Sequence, residues 1–354
     1  MDTWEHTEIN INGTVVRAQA PLIISASRST DIPAFYSDWF FHRLKLGYSA
    51  WTNPFNGVKM YVSYAKTRFI VFWSKNPRPL LDHLEDLKEK GINCYIQYSL
   101  NDYEKEKLEK GVRPLAERID TFKLLVDKLG FGSVIWRFDP LLLTDDINID
   151  KLLLKIENIG DQLKGYTEKL VFSFADIGLY KKVKKNLEDN KISYHEWTEE
   201  QMSDFAKRLV ELNISKGWHY KLATCGEKGR YEGIEPNHCI DDALIIRRAY
   251  HDKELMKFLK AEIRLMPTDD LFGNSEQLPN NAILLDNNHY AIRGDNRDKG
   301  QREFCGCMKS KDIGQYNTCI HMCEYCYANT SKQAAATNYK CHLENPMAET
   351  ITGR

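Results

Sequence analysis

The sequence predicts an α/β fold of repeated strand–helix units, and three observations predict it. First, five helix-like segments end in glycine with an apolar run directly after: LKLG-YSAWT, LKEKG-INCYIQYS, VDKLGFG-SVIWRF, DQLKG-YTEKLVFSF and NISKG-WHYKLAT. Second, strand-like and helix-like segments alternate every 35–45 residues, the rhythm of βα units in an open sheet or a closed barrel. Third, the strand candidates are short and largely apolar, as parallel strands are when helices cover them. Seven or eight such strands favour a TIM-like βα barrel, complete or partial. No glycine-rich dinucleotide fingerprint follows the first strand, so a Rossmann nucleotide site is not expected.

The elements follow in order. Strands are expected at LIIS (22–25), FIVFW (69–73), CYIQY (94–98), VIWRF (134–138), LVFSF (170–174) and KLAT (221–224), with YSAWT as a further candidate. Gly47, Gly91, Gly130, Gly165 and Gly217 sit where a helix ends, and glycine takes the left-handed cap conformation at no steric cost. Thr30-Asp31 with Pro33 reads as the start of the first helix, and Asn76-Pro77 as the start of the helix before Gly91. From about 262 to 304 the chain is turn-rich with little periodicity, which reads as a long excursion returning the C-terminal segment to the body. Two parts are therefore expected: a barrel-like domain over 1–260, and an irregular, cysteine-rich segment over 261–354 packed on the barrel rim.

Bulk properties narrow the function classes. The 354 residues carry a net charge of −1, so no global field draws the chain to nucleic acid or membrane. No apolar run reaches about 18 residues, and the acidic, polar start does not look like a signal peptide. A cytoplasmic protein is expected. In that reducing compartment nine cysteines argue for metal or redox chemistry rather than a disulfide frame. The basic runs Lys181-Lys182, Lys184-Lys185 and Arg293, Arg297, Lys299, Arg302 read first as solvated faces, with nucleic-acid contact as the alternative.

Polar residues gather where the strands end: Ser25 to Asp31, Asn53, Ser74 to Asn76, Ser99, Asn101, Asp102, Arg137, Asp139, Asp176, Thr224 and Cys225. In a barrel these share one rim, the face that carries active sites. Loops of this type also supply caps, which accounts for Asp31 and Asn76. Arg137 interrupts an apolar strand, and Asp139 points to the same side two residues on. They form either a structural ion pair or part of a site.

The densest chemical signal is CIHMCEYCYANT, residues 319–330. Its three thiols are spaced C-x3-C-x2-C, with only 28 residues following the last. Thiolates so close repel one another unless a cation shares their charge, and zinc or an iron–sulfur cluster is the usual cation. Structural zinc sites and most clusters take four ligands. Three in one loop suggest a cluster with one iron left open. This spacing, with Tyr325 before the last cysteine, resembles the signature of radical S-adenosylmethionine enzymes. The resemblance implies that Cys319, Cys323 and Cys326 hold a [4Fe–4S] cluster whose fourth iron is chelated by S-adenosylmethionine, with Tyr325 as the signature aromatic. Tyr316-Asn317-Thr318 and Tyr327-Ala328 also look like the superfamily. The longer segment CGCMKSKDIGQYNTCIHMCEYCYAN, with SASRSTDIPAFY, resembles an uncharacterised bacterial family known only as a domain of unknown function. Some of its relatives bear names of DNA-repair photolyases of the spore-photoproduct-lyase type.

The arrangement departs from that superfamily in one respect. There the cysteine loop follows the first strand; here it follows the whole repeat region. DIGQYNT (312–318) can supply a strand that joins the sheet from the C-terminal end, a circular permutation. No GGE-like stretch is present. Four further cysteines, Cys225, Cys239, Cys305 and Cys307, are expected to meet on the rim as a second iron–sulfur cluster, a zinc site or unrelated thiols. Cys94 reads as a core residue, Cys341 has no partner pattern, and His321 reads as a neighbour of the cluster rather than a ligand. The expected function is an enzyme generating a 5′-deoxyadenosyl radical. A low-potential donor of flavodoxin or ferredoxin type would reduce it, and Arg28, Lys75, Arg137 and Asp139 would hold carboxylate, phosphate or ribose groups. The alternative is a non-enzymatic iron–sulfur or zinc protein that contacts nucleic acid.

Overall fold

The structure, a computed structural model, describes residues 4–53, 56–267, 277–301 and 303–354. Its centre is an eight-stranded sheet in which every pairing is parallel. From one edge to the other the strands are Ile234–Pro236, Lys221–Thr224, Lys169–Phe174, Val134–Leu141, Asn93–Ser99, Phe69–Ser74, Ile23–Ala26 and Lys311–Asp312. The six principal strands expected from apolar runs are all present, in chain order across the sheet. The ladder is open, because the two edge strands are not paired with each other among the described residues.

Two strand expectations change. Tyr48–Thr52 leaves the parallel sheet and pairs antiparallel with Lys59–Ser63, inside a four-stranded sheet with His6–Ile11 and Thr14–Gln19. A glycine cap followed by an apolar run says that a strand comes next, not which sheet takes it. Asn53 accordingly lies at the hairpin turn, where its N–H donates to Val58 O, and not on the rim. The excursion also has structure of its own. Ala261–Leu265, Ile283–Leu284 and His289–Arg293 form a three-stranded antiparallel sheet. Its strands are too short to show a period above the turn residues around them.

Gly47, Gly91, Gly130, Gly165 and Gly217 all have positive φ. Gly47 takes the left-handed cap conformation, whereas Gly130 has a positive φ with an extended ψ of 160°. Asp31 caps Ile32–Phe35 by accepting from Ala34 N at 3.0 Å. Asn76 does not cap: the chain enters a 3-10 helix, Arg78–His83, after Pro77, and the α-helix Leu84–Glu89 follows.

Strand alternation sorts the sheet into two faces. One side carries Ile24, Phe72, Ile96, Trp136 and Leu170 into the larger core with the helices 115–129, 149–163 and 199–215. The other side carries Ile23, Phe69, Val71, Tyr95, Ile135 and Val171 against Asp242–Ala249 and Lys253–Phe258. Continued towards the strand ends, this second row turns polar: Ser25, Trp73, Gln97, Arg137, Asp139 and Ser173. That change of character explains why Arg137 breaks an apolar strand.

Candidate metal centre

The C-terminal segment is fastened to the strand ends. Lys311–Asp312 pairs with Ile24 and Ser25, so the chain reaches the cysteine loop from the edge of the sheet. Asp312 Oδ2 accepts from Ser25 Oγ and from Arg28 N, each at 2.9 Å. Thr30 Oγ1 exchanges hydrogen bonds with the backbone of Gln315 at 2.9 Å, and Tyr36 OH donates to Thr318 O at 2.7 Å. Gly314 is required here, because a Cβ would lie 1.7 Å from Ser27 Oγ. The loop then lies on residues 108–111. Glu324 N donates to Leu108 O at 2.9 Å and Gly111 N to His321 O at 2.8 Å.

Cys319, Cys323 and Cys326 share this loop. Burial pushes the Cys319 thiol up to about 12, with Asp31 and Cys326 adding to it, against backbone hydrogen bonds from His321 and Asp31. Burial likewise raises Cys326, opposed by backbone hydrogen bonds from Asn329 and Ala328 and by Lys75. Cys323 is raised well above the usual thiol range by burial, opposed by Lys75. Each sulfur thus faces backbone donors or an ammonium, groups that favour a thiolate once a cation takes up its charge. The donor set fits an iron–sulfur cluster in its chemistry.

Behind Cys323 lies a buried polar network that the sequence did not reveal. Lys75 Nζ reaches Glu109 Oε1 at 2.6 Å and Tyr325 OH at 3.0 Å. Tyr325 OH donates to the same Glu109 oxygen, and Asn101 Nδ2 donates to Glu109 and to Tyr325 OH, each at 3.1 Å. Burial pushes Glu109 up, but Lys75 and Arg118 outweigh it and hold the carboxyl below its ordinary range. The Tyr325 ring is therefore turned into the protein. Asn101 also accepts from Asp139 N at 2.9 Å. His321 is buried, with Nε2 2.6 Å from Asp31 Oδ2. Nothing in the sequence around Glu109 marks it.

The second thiol group also assembles. Cys225 Sγ lies 3.1 Å from Cys239 Sγ, and Cys239 N and Ile240 N donate to Cys307 Sγ at 3.2 and 3.5 Å. Cys305 joins through Cys307, which holds its thiol down to about 6. Arg137 Nη1 and Asn237 Nδ2 donate to Cys239 Sγ at 3.3 and 3.2 Å. Arg137 Nη2 binds Asp139 Oδ2 at 2.6 Å, so this expected pair faces the second group. Arg28 and Arg137 both lie over the Trp73 ring, at 5.6 and 5.4 Å from its centroid. Cys94 is a buried strand residue, its thiol pushed up to about 11 by burial. Cys341 lies on the helix Lys332–Glu344, where its sulfur meets Arg354 at 3.7 Å.

The remaining basic residues divide. Lys184 and Lys185 pair with Glu188 and Asp189 along their own helix, as a solvated face does. Arg293 pairs with Asp242, Arg297 donates to Cys305 O at 3.0 Å, and Arg302 lies outside the described residues. His238, Asp241 and Asp242 also bring ligand atoms within 4.8 Å of one another. Asp241 is occupied as a helix cap and Asp242 by Arg293 and Asn296. Among the described residues no helix is long and apolar enough to cross a membrane.

The model of a family described as "Domain of unknown function (DUF1848)" matches residues 23–328. No curated protein and no solved structure matches the chain.

Proposed function

The chain belongs to the DUF1848 family, and from its site we propose that it is a radical S-adenosylmethionine-type enzyme. The observation that carries this reading is placement. The C-x3-C-x2-C loop leaves an edge strand of an open parallel sheet and lies across the strand ends, where Thr30, Lys75 and Asn101 meet it or its neighbours. Read as a partial barrel, the last strand in sequence takes the position of the first in space, which is the permuted arrangement. The strand ends of such sheets are where substrates are bound.

Cys319, Cys323 and Cys326 would hold a [4Fe–4S] cluster with one iron free for S-adenosylmethionine. When bound, that pair supplies one-electron reductive cleavage to methionine and a 5′-deoxyadenosyl radical, the electron coming from an external low-potential donor. The chain's own residues do the rest. Asp31, His321, Ala328 and Asn329 supply the backbone hydrogen bonds to the outer sulfurs. Lys75 balances charge beside Cys323 while Glu109 and Tyr325 hold its ammonium in place. Burial raises the Tyr325 phenol far above its usual range, so the hydroxyl stays protonated as a donor to Glu109. Cys225, Cys239, Cys305 and Cys307 would hold a second centre, iron–sulfur or zinc, that ties the 305–307 turn to the sheet.

Anaerobic purification and reconstitution test this reading. Iron and sulfide are counted, and the reduced protein is assayed for 5′-deoxyadenosine with S-adenosylmethionine. Cluster-level iron at the first group with 5′-deoxyadenosine release is the expected result. Stoichiometric zinc and no iron in anaerobically prepared protein would sink it.

A further inference from the structure

Of the three cations that the sequence places at the strand ends, two are fully engaged. Lys75 is held by Glu109 and Tyr325. Arg137 is held by Gln97, Cys239 and Asp139. Arg28 differs. Among the described residues its guanidinium makes no hydrogen bond and no ion pair; its contact is the face of Trp73 at 5.6 Å.

The Arg28 backbone, by contrast, is clamped. Its N–H donates to Asp312 Oδ2 at 2.9 Å, and its carbonyl accepts from Tyr327 OH at 2.7 Å. Tyr327 follows Cys326 directly, so the residue is anchored to the first cysteine loop. Its charge is stabilised by Cys307, Asp312, Cys239 and Cys305. The side chain is half-buried, its guanidinium nitrogens are not sealed from solvent, and its five N–H groups are open to acceptors from outside the chain. Trp73 stabilises the charge but accepts none of those bonds. The second thiol group is already served by Arg137, which donates directly to Cys239. A planar fork of unused donors matches one ligand chemistry above others, a carboxylate or phosphate oxygen pair.

We propose that Arg28, with Trp73 as its platform, binds a carboxylate or phosphate group of the substrate between the two cysteine groups. The word substrate rests on the radical-enzyme reading; the anion site does not.

The test uses the anaerobically reconstituted full chain as wild type, Arg28→Gln and Arg28→Lys. Each is titrated calorimetrically with inorganic phosphate and pyrophosphate at constant ionic strength. Arg28→Gln is expected to weaken phosphate binding at least about tenfold and Arg28→Lys about threefold, since the lysine keeps the charge but not the fork. Metal content and melting temperature should stay at wild-type values. Equal affinity in wild type and Arg28→Gln overturns the proposal, as does no wild-type binding up to about 50 mM phosphate. So does a change in the second group's metal content with phosphate affinity unchanged, which would make Arg28 a charge balance for thiolates. Saturating S-adenosylmethionine should leave phosphate affinity unaltered; direct competition would overturn the assignment to a separate substrate. Phosphate binding without any 5′-deoxyadenosine would fail the enzyme reading and leave the anion site standing.

Discussion

The two cysteine groups hold their sulfurs in different ways. In the first, three thiols come from eight consecutive residues, and backbone N–H groups of the same loop and of Asp31 point at the outer two. Cys319 and Cys326 remain half-buried. In the second, four thiols arrive from three separate parts of the chain, and the central sulfur is held by side chains, Arg137 and Asn237. Cys239 and Cys307 are buried at 3% and 2% exposure, while Cys225 and Cys305 are half-buried. Three ligands from one loop leave a fourth coordination position for a ligand. Four ligands gathered from three segments fill those positions and lock the segments together. The difference suggests chemistry at the first and architecture at the second.

The largest effect that can break this division comes from removing the first group. If both groups hold [4Fe–4S] clusters, reconstituted protein should approach about eight irons per chain, and the triple Cys319/Cys323/Cys326→Ala variant should keep about half. It should release no 5′-deoxyadenosine and melt close to the wild type. Iron analysis beside a thermal melt decides this. Loss of all iron would mean that the groups are one centre.

Next in size is Lys75→Met. Removing one partner of a buried ion pair typically costs about 3–5 kcal/mol; Asn101 and Tyr325 still bond Glu109, so about 3 kcal/mol is expected here. The change should also move the acid limb. Glu109 is held below its unfolded value of about 4.3 in the native protein. Its contribution is therefore present above that pH and lost as pH falls through the folded value. Without Lys75 the folded value rises, so acid unfolding should begin at higher pH. Melting curves from pH 7 down to pH 3 would show it, and an unshifted acid limb would remove Lys75 as the counter-charge.

What the sequence revealed follows the same line between local and distant. Cap glycines and short apolar strands are local, and the structure carries the positive φ of the first and the parallel sheet built from the second. Asp31 capped as expected, because its acceptor and its N–H partner are three residues apart. YSAWT forms a strand outside the parallel sheet, because pairing is decided by the 59–63 strand and not by its own residues. The meeting of Cys225, Cys239, Cys305 and Cys307 could be expected only by assuming that the C-terminal segment returns to the strand ends. Glu109 carries no local mark. Its importance comes from Lys75, Asn101 and Tyr325, which three other parts of the chain supply.

Arg137→Met sharpens the comparison from the other side. The substitution removes the donor to Cys239 and leaves Asp139 with Ser173, which hydrogen-bonds its other oxygen. Because Asp139 is partly open to solvent, the expected cost is about 2 kcal/mol, below that of a sealed pair. Metal content should fall at the second group alone, and 5′-deoxyadenosine yield per first cluster should hold. Unchanged melting, metal content and yield together would remove Arg137 from both sites.

The smallest effect tests the closure of the second group. Gly306 separates Cys305 from Cys307, and a Cβ there would lie 2.4 Å from the His238 ring. His238 directly precedes Cys239, so the ring and the 305–307 turn press on each other where the thiols meet. Gly306→Ala must push the ring aside or lift the turn. The ring is half-exposed and can swing, so the cost should stay near about 1 kcal/mol, the low end for overpacking. A double-mutant cycle separates the outcomes. If the ring is the obstacle, His238→Ala should make room and the Gly306→Ala cost should largely vanish in the pair. If the cost persists, the glycine is needed for the turn itself. In either case metal content reports whether the turn still presents Cys305 and Cys307 correctly. A lowered metal content in Gly306→Ala, restored by His238→Ala, would place this contact among those that shape the closed centre, with no counterpart in the open one.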